Sequence, residues 1–508
     1  MKVFANLLTS AEVVRIHEAS LEILDQVGLL VHSEKARYCL LRHGCSVESK
    51  TSKVRFPRKT VEEFRKAFPP SFAFHGRDSH YDRVIPKEGP LIVTGSSAPD
   101  ILDPETGEER RARSEDIARI AHLINELPGY DIFSISTLAE DAPADQSSLA
   151  RFYPALKNCL KPVRGNTPNL EELGNVLRLG ELIAGGEKRY KERPFITHHF
   201  CNVVSPLTMD VASTEMMMFL VEKGFPCFGS IVPNAGLTAP LSLAGTLVQG
   251  NAEFLALAVL TQMVRPETPL IYCALPTVAD MRTGAYAPGG IETGILMAGC
   301  SQMARYYGVP SGGYIGLTNS KVNDAQSGYE TGMSGVAAVM AGVDMLNMGG
   351  LLDALMTFDY AKAVIDDEIA LMLKRVKQGF DVDEENLSLQ VIAEVGPGGM
   401  FMEHPHTLER MRKTALLPAI ADRNSRQQWR ERGGLDAQAR ALARARDILT
   451  RDNPAVFSAE VEERIRAEFK NLVPGISSPL RIPDKQKGFG LQASSRGKGK
   501  CKVSVDIQ

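Results

Sequence analysis

Two histidine-bearing segments and one lysine are the first candidates for chemistry in this chain. His198 and His199 are adjacent in a segment that favours a β-strand, and neighbouring strand residues point to opposite faces, so at most one of them enters a site. His404 and His406 have the spacing of a metal-binding pair, but the sequence places no third ligand beside them. Lys321 has polar neighbours and lacks the apolar surroundings that activate a Schiff-base lysine. The sequence therefore predicts neither a metal site nor an activated lysine.

Composition and missing signatures exclude several other classes of protein. The 508 residues carry 58 Lys and Arg against 61 Asp and Glu, a net charge of −3, which does not fit a broadly basic nucleic-acid binder. No GxGxxG follows a strand, and neither GxxxxGK[ST] nor G-x-S-x-G occurs. The 8 cysteines include no C-x-x-C pair. With no signal peptide and no apolar run of roughly 18 residues, we expect a cytoplasmic protein with reduced thiols and no membrane span.

Eight short apolar or β-rich runs alternate with helical patterns through the middle of the chain. This alternation predicts the α/β class and a (β/α)8 TIM barrel; the alternative is a doubly wound open sheet. The predicted strands lie at residues 91–95, 131–136, 162–165, 195–200, 226–231, 269–274, 310–316 and 344–349.

Three further segments flank the predicted barrel, which we place at residues 89–380. Residues 1–88 read as a mainly helical N-terminal region, in which Thr9 with Glu12 and Thr60 with Glu63 fit capping boxes. Residues 381–475 read as a C-terminal helical extension, and residues 476–508, basic and rich in Gly and Ser, as a mobile tail.

The active site of such a barrel lies at the C-terminal ends of its strands, so the strand positions also predict the site. The residues there are mostly neutral hydrogen-bonding groups without paired carboxylates, which argues against a two-carboxylate glycosidase. They are Thr94, Ser96, Ser97, Thr137, Arg164, Asn166, His198, His199, Asn202, Ser230, Asn234, Thr277, Asp280, Tyr314, Thr318, Asn347 and Met348. Aromatic residues lie beside them, and their faces suit a quaternary ammonium through cation–π attraction.

Several long motifs resemble the trimethylamine methyltransferase family over roughly residues 5–475. The motifs are ILDPETGEERRARSEDIARIA (101–121), APLSLAGTLVQGNAEFLALAVLTQMVRPETPLIY (239–272), VADMRTGAYAPGGIETG (278–294), TNSKVNDAQSGYETGMSG (318–335), GPGGMFMEHPHTLERMRK (396–413) and WRERGGLDAQARALARARDIL (429–449). The family fold is a TIM barrel, in agreement with the strand pattern. Methylamine-specific members carry pyrrolysine, whereas this sequence has only standard residues and so resembles the non-pyrrolysine branch.

The resemblance implies transfer of a methyl group from a quaternary amine to the Co(I) of a separate corrinoid protein. That branch is associated with glycine betaine, which we expect as the donor, and with proline betaine and carnitine, which remain alternatives. A non-catalytic quaternary-amine binder is the alternative of another class. The nearest match to the corrinoid-binding pattern D-x-H-x-x-G is Asp78-Ser79-His80-Tyr81-Asp82-Arg83, with Arg where Gly is needed. We therefore expect the cobalamin on a cognate partner, and a homo-oligomer of the chain itself.

Motif position and residue chemistry together nominate the site residues. From the DAQSGYE motif after the seventh strand, we expect Gln326, Tyr329 and Glu330 as catalytic residues. The remaining candidates are expected to bind substrate. They are Asp280 and Arg282 of the DMRTGAY motif, Tyr314, Phe358 and Tyr360 for the ammonium group, and His198 or His199, Asn202 and Asn347 for a carboxylate.

Overall fold

Eight parallel strands form the centre of the molecule, in a computed structural model that describes residues 5–48, 50–143 and 145–480. Most of them follow directly on a proline or precede a helix with a polar N-cap. The strands are β1 (Leu91–Val93), β2 (Phe133–Ser134), β3 (Val163–Gly165), β4 (Ile196–Phe200), β5 (Cys227–Ile231), β6 (Tyr272–Ala274), β7 (Ser311–Tyr314) and β8 (Met345–Asn347). All eight lie within the runs predicted from the sequence.

The strands pair in chain order, and the ring closes between its first and last members. β1 pairs with β8, each strand from β3 onward pairs with its predecessor, and an isolated parallel bridge from Val93 to Ile132 joins β1 to the residue before β2. A doubly wound sheet would instead reverse its strand order at a switch point. The (β/α)8 barrel is therefore confirmed and the open-sheet alternative was wrong.

One helix follows each strand and packs on the outside of the barrel. The helices are α1 (Ser114–Glu126), α2 (Leu149–Asn158), α3 (Leu170–Ala184), α4 (Val211–Lys223), α5 (Leu243–Val264), α6 (Ile291–Tyr307), α7 (Ala325–Ala341) and α8 (Tyr360–Gln378). Of the helices in the described residues, only α5 is long and apolar enough to cross a membrane, and 78% of its apolar window is buried. α5 is thus a mostly buried helix.

Small sheets and turns decorate the loops at the C-terminal end of the barrel. A four-stranded sheet beside β1 and β8, the rim sheet, consists of Leu351–Leu352, Thr357–Asp359, Asp100–Leu102 and Glu109–Arg111. The other loop strands there are Val203–Val204, Thr208–Met209, Asn234–Ala235, Thr277–Asp280 and Ala285–Ala287. One further helix, Glu187–Glu192, lies between α3 and the start of β4.

The N-terminal region packs on the outside and across the bottom of the barrel. Its first helix begins with the predicted capping box of Thr9 and Glu12. The second predicted box was wrong, because Pro57 precedes the helix and Thr60 lies within it. Besides a π-helical turn at Ile23–Val27 and a 3-10 turn at Ser79–Tyr81, the elements are helices Ser10–Glu22, Glu34–Arg42 and Arg58–Arg65 and strands Leu29–Val31, Ser46–Glu48, Lys53–Arg55, Phe72–Phe74 and Arg83–Ile85.

A hairpin from this region closes the N-terminal end of the barrel. Its strands Phe72–Phe74 and Arg83–Ile85 are antiparallel. Phe72 and Phe74 pack edge-on against Phe228 of β5, with ring centroids 5.7 and 6.4 Å away. This plug and the inward residues of the strands form one buried apolar cluster. The interior therefore opens at the other end.

The C-terminal region runs along the flanks of the barrel helices. Glu368 of α8 accepts hydrogen bonds from the backbone N–H groups of Ala419, Ile420 and Ala421 at 2.6–2.9 Å, which fastens this region to the barrel. Its helices are Glu384–Leu387, Leu389–Val395, Pro405–Thr414, Arg426–Glu431, Ala437–Leu449 and Ala459–Glu468. Ser478 accepts a hydrogen bond from Arg119 of α1, and residues 481–508 of the predicted tail lie outside the described residues.

Candidate functional site

A cavity of about 340 Å³ lies inside the barrel at the C-terminal ends of the strands. This volume is at the lower end of the range for small-molecule sites. Its lining consists of neutral polar groups, apolar side chains and one arginine. The lining residues are Ser96, Ser97, Ser134, Ile135, Arg151, Gly165, Asn166, Thr167, His199, Phe200, Cys201, Ser213, Ser230, Val232, Leu275, Tyr314 and Leu355.

The fully buried guanidinium of Arg164 organises the floor of the cavity. It donates to Ser134 Oγ from Nε and one terminal nitrogen (3.2 and 3.0 Å), to Asn347 Oδ1 (2.8 Å) and, at 3.5 Å, to the Tyr314 hydroxyl. The Tyr314 hydroxyl also bonds to Ser96 Oγ at 3.0 Å. Strands β2, β3, β7 and β8 are thus connected by one polar network around a positive charge.

A second polar chain lies on the opposite side of the floor. His199 Nε2 is 2.5 Å from Ser230 Oγ, which is 3.0 Å from Cys273 Sγ. Burial, and after it the charge of Arg164, lowers the pKa of His199 well below its ordinary value. His199 therefore offers a neutral imidazole to the cavity.

His198 points out of the barrel, as strand alternation requires. Its ring lies between Phe152 of α2, at 6.1 Å, and Phe200, at 6.3 Å and nearly parallel. Both ring nitrogens are buried with no hydrogen-bond partner among the described residues. Burial lowers the pKa of His198 to about 3. Of the two adjacent histidines, only His199 lines the cavity.

We expect His198 to make the fold sensitive to acid. The unfolded histidine takes up a proton below its ordinary pKa of 6.5, whereas the folded one, with a pKa of about 3, does not. The contribution of His198 to the free energy of unfolding is therefore fully present above that ordinary value. It decreases as the pH falls below this value, and the free energy of unfolding is lower by about 2 kcal/mol at about pH 5. Urea denaturation of wild type and His198→Phe at about pH 7.5 and about pH 5 measures this contribution. A stability difference between the two proteins that does not change with pH would contradict the assignment.

Arg151 of α2 forms part of the wall. Its terminal nitrogens make long hydrogen bonds, 3.4 Å each, to Asn166 Oδ1 and Ser97 Oγ, and its Nε has no partner in the described part of the chain. Burial lowers the pKa of Arg151 to about 10, so it remains charged at neutral pH. The wall thus contains a cation whose hydrogen-bonding capacity is only partly used.

Four residues in two loops at the cavity adopt the left-handed conformation that non-glycine residues rarely occupy. Ser97 has a φ of 67°, and Asp353, Ala354 and Leu355 follow one another at 47°, 53° and 82°. Leu355 reaches the cavity from this loop. Such positions cost about 1–3 kcal/mol each and persist where the surroundings hold them.

The loop after β7 holds this strained turn in place. The N–H groups of Asp353 and Ala354 donate to the carbonyls of Ser320 and Thr318, at 2.8 and 2.9 Å. Thr318 Oγ1 in turn donates to Glu330 Oε2 at 2.5 Å. The contacts of Glu330 therefore reach the cavity through Thr318 and the turn that carries Leu355.

The three residues nominated as catalytic lie at the start of α7, outside the cavity lining. Glu330 accepts from Asn319 N at 2.8 Å and from Gln326 Nε2 at 3.0 Å, and Tyr329 is 53% exposed. The hydrogen bonds of Glu330, which Gln326 supports, hold the loop after β7 in place.

The nominated substrate-binding residues are only partly brought together. Tyr314 and His199 line the cavity, and Asn347 lies just below it as the acceptor for Arg164. Asn202 is buried beneath the loop after β4, where its Nδ2 donates to Ser213 O at 2.7 Å. Phe358 and Tyr360 pack against each other at 5.3 Å and do not reach the cavity, because the chain between β8 and α8 first folds into the small rim sheet.

Several other candidates lie on the surface or in local contacts. Asp280 and Arg282 form an exposed ion pair on the hairpin after β6, and Arg282 lowers the pKa of Asp280 to about 2. His404 Nδ1 accepts from His406 N at the start of a helix, and its Nε2 is 3.1 Å from Glu394. Lys321 is 70% exposed and pairs with Asp353, which is not the buried setting of an activated lysine.

Sequence reasoning placed Arg164 at a strand end but did not nominate it as a site residue, and it did not consider Arg151 or Ser134. A signal for Arg164 was available: Val163 and Gly165 are small or apolar, so the alternation of β3 turns Arg164 alone toward the barrel axis. Arg151 offered no such signal, because it lies on a helix whose inward face depends on the tertiary packing.

Fold and site together define a (β/α)8-barrel protein with a small enclosed binding cavity at the C-terminal ends of its strands. Comparison with known proteins gives the family. The model of the trimethylamine methyltransferase (MTTB) family matches residues 2–471, so the chain belongs to that family and is a methyltransferase.

The curated relatives agree over nearly their full length. A glycine betaine methyltransferase of Desulfitobacterium hafniense (strain Y51) is 33% identical over 91% of this chain and 96% of its own length. A trimethylamine methyltransferase MttB of the same species (strain DSM 10664 / DCB-2) is 30% identical over 90% and 92%. The MttB of Methanosarcina thermophila is 28% identical over 91% and 96%.

Proposed function

We propose that this protein transfers a methyl group from a quaternary amine, specifically glycine betaine, to the Co(I) of a separate corrinoid protein. The observation that carries the proposal is the cavity lining, which in the described residues contains no carboxylate and no acid–base pair. The similarity to a glycine betaine methyltransferase supports this choice of donor.

A quaternary ammonium donor explains why such a lining suffices. Its nitrogen has no lone pair to protonate, and its fixed positive charge makes the methyl carbon open to displacement. The corrinoid would supply the nucleophile, Co(I), whose electron pair forms the new bond to carbon while the amine departs with the pair of the broken C–N bond. The task left to this chain is to hold the donor in line and to exclude water.

The cavity residues fit this positioning role. Tyr314 offers an aromatic ring to a trimethylammonium group, and the neutral ring of His199 adds no repulsive charge. Glu330 and Gln326 act as positioning residues, because their contacts to the loop after β7 fix the turn that carries Leu355. A cytoplasmic location and a homo-oligomeric state remain predictions from the sequence.

Glycine betaine should demethylate in the presence of this protein and reduced cobalamin. We expect the Co(I) absorbance to disappear with formation of an equal amount of dimethylglycine, measured by spectroscopy and mass spectrometry. Cobalamin replaces the unidentified corrinoid protein as the methyl acceptor. The same mixture without protein, and with choline as donor, serves as control.

The outcomes separate the alternatives. Faster transfer from proline betaine or carnitine than from glycine betaine would identify that amine as the preferred donor and leave the proposed type of reaction unchanged. Measurable binding of these amines with no loss of Co(I), even when corrinoid proteins of the relatives are supplied, would indicate a binding protein instead of an enzyme and would refute the proposal.

A further inference from the structure

The charged groups in and under the cavity are both positive. Arg151 forms part of its wall, and Arg164 lies directly beneath the lining residues Ser134 and Tyr314. Within the described ranges, neither guanidinium has a carboxylate within the 4.0 Å of an ion pair. Glu172 influences the pKa of Arg151 but remains beyond that distance and accepts from Ser147 and Ser148 instead.

Buried arginines are normally paired, because an isolated charge loses its hydration on burial. Arg164 is fully buried and has only neutral acceptors, and the Nε of Arg151 has no acceptor among the described residues. Two unpaired cations at one cavity indicate that the counter-charge arrives with the ligand.

The hydroxyl groups of the floor extend this positive character to the cavity surface. Ser134 Oγ accepts two hydrogen bonds from Arg164, so its hydroxyl proton can be donated to a ligand in the cavity. Tyr314 and Ser96 share one hydrogen bond between them, so one of their two protons also remains for a ligand. The floor is therefore a set of donors above a fixed cation.

The upper part of the cavity has a different character. Val232, Leu275 and Leu355 lie beyond the strand ends, where they form an apolar cluster with Tyr314 and the ring of Tyr286. An onium group with its methyl carbons fits this apolar and aromatic surface. The cavity thus combines a polar floor above Arg164, one cationic group in its wall and an apolar part beyond the strand ends.

We propose that the cavity binds its methyl donor by a carboxylate, held between Arg151 and the hydroxyl floor above Arg164, with the onium group facing the opening. The inference rests on the proposed function and narrows the donors to carboxylate-bearing quaternary amines. Cations without a carboxylate, such as choline or tetramethylammonium, are rejected because they would meet two positive charges and leave the donors of the floor unpaired.

The test is calorimetric binding to the full chain without a corrinoid. Glycine betaine and choline share a trimethylammonium group and differ in the carboxylate, while 3,3-dimethylbutyrate keeps the carboxylate and lacks the positive nitrogen. We expect glycine betaine to bind at least about tenfold more tightly than choline, and 3,3-dimethylbutyrate to bind measurably. Arg151→Gln should remove most of that preference, whereas Arg151→Lys should keep part of it.

Arg178→Gln is the matched control, because Arg178 is exposed on α3 and paired with Glu181 and Glu468. It should leave both affinities unchanged. The inference is overturned if choline binds as tightly as glycine betaine, if Arg151→Gln weakens both ligands equally, or if no carboxylate ligand binds. A carboxylate preference without any methyl transfer to Co(I) would leave the anion site in place and refute the proposed function alone.

Discussion

Arg164→Met is expected to reduce methyl transfer at least about 100-fold, equivalent to about 2.7 kcal/mol, without lowering the free energy of unfolding. The activity falls because the floor loses the charge that orients Ser134 and Tyr314. Stability is retained because the buried guanidinium has no carboxylate partner in the described residues, and an apolar side chain of similar length avoids its desolvation cost. Transfer kinetics and urea denaturation of the same preparation measure both effects.

The companion variants define what each result means. The double variant Arg164→Met, Asn347→Leu also removes the amide oxygen of Asn347, which Arg164→Met leaves without its donor. Its free energy of unfolding should be higher than that of wild type or within about 1 kcal/mol of it. Arg77→Met is the structural comparison, because Arg77 donates to the carbonyls of Leu156 and Ala455 and joins two parts of the fold. It should lose stability and keep its activity per folded molecule. A large loss of stability in Arg164→Met would assign Arg164 to the fold instead of the site.

Phe74→Ala should destabilise the protein by about 3–5 kcal/mol. Phe74 is fully buried in the plug at the bottom of the barrel, 4.8 Å from the ring of Phe72 and 6.4 Å from that of Phe228. Phe228 contacts His199 at 5.0 Å, so the resulting space adjoins the floor of the cavity. The urea midpoint measures the loss of stability. The affinity for glycine betaine at low urea measures the effect of the new space on the cavity floor.

Phe380→Ala is the control for this substitution, because Phe380 is 76% exposed. It should change stability by no more than about 0.5 kcal/mol. If Phe74→Ala behaves like Phe380→Ala, the hairpin does not contribute to the barrel core.

The barrel could be predicted because its signal is repeated. Each strand is a short apolar run bounded by proline or glycine, and each helix between them is long enough to have its own pattern. The predicted residues 344–349 illustrate the limit, since β8 is Met345–Asn347 and the chain then turns into the rim sheet. That turn carries Phe358 and Tyr360 away from the cavity, and nothing local in the sequence indicates it.

The site could be predicted only in part, for a similar reason. Strand alternation predicted that at most one of the two histidines enters the site, without saying which, and strand-end placement put Tyr314 and Asn347 near it. Arg151 comes from a helix, and the role of Glu330 depends on a chain of contacts through Thr318 to a turn more than twenty residues further on. Such relations arise from tertiary packing, which has no signature at the level of residue types.

The plug at the bottom of the barrel imposes a sequence of events on turnover. With that end filled by Phe72, Phe74 and Ile85, the donor must enter, and the demethylated product must leave, through the same mouth that a corrinoid protein would cover. The donor and the corrinoid protein would then use the same opening of the barrel. The donor would have to bind before the partner docks, and the product could leave only after the partner dissociates. Excess partner protein should therefore inhibit turnover at low donor concentration, and the inhibition should fade as the donor is raised.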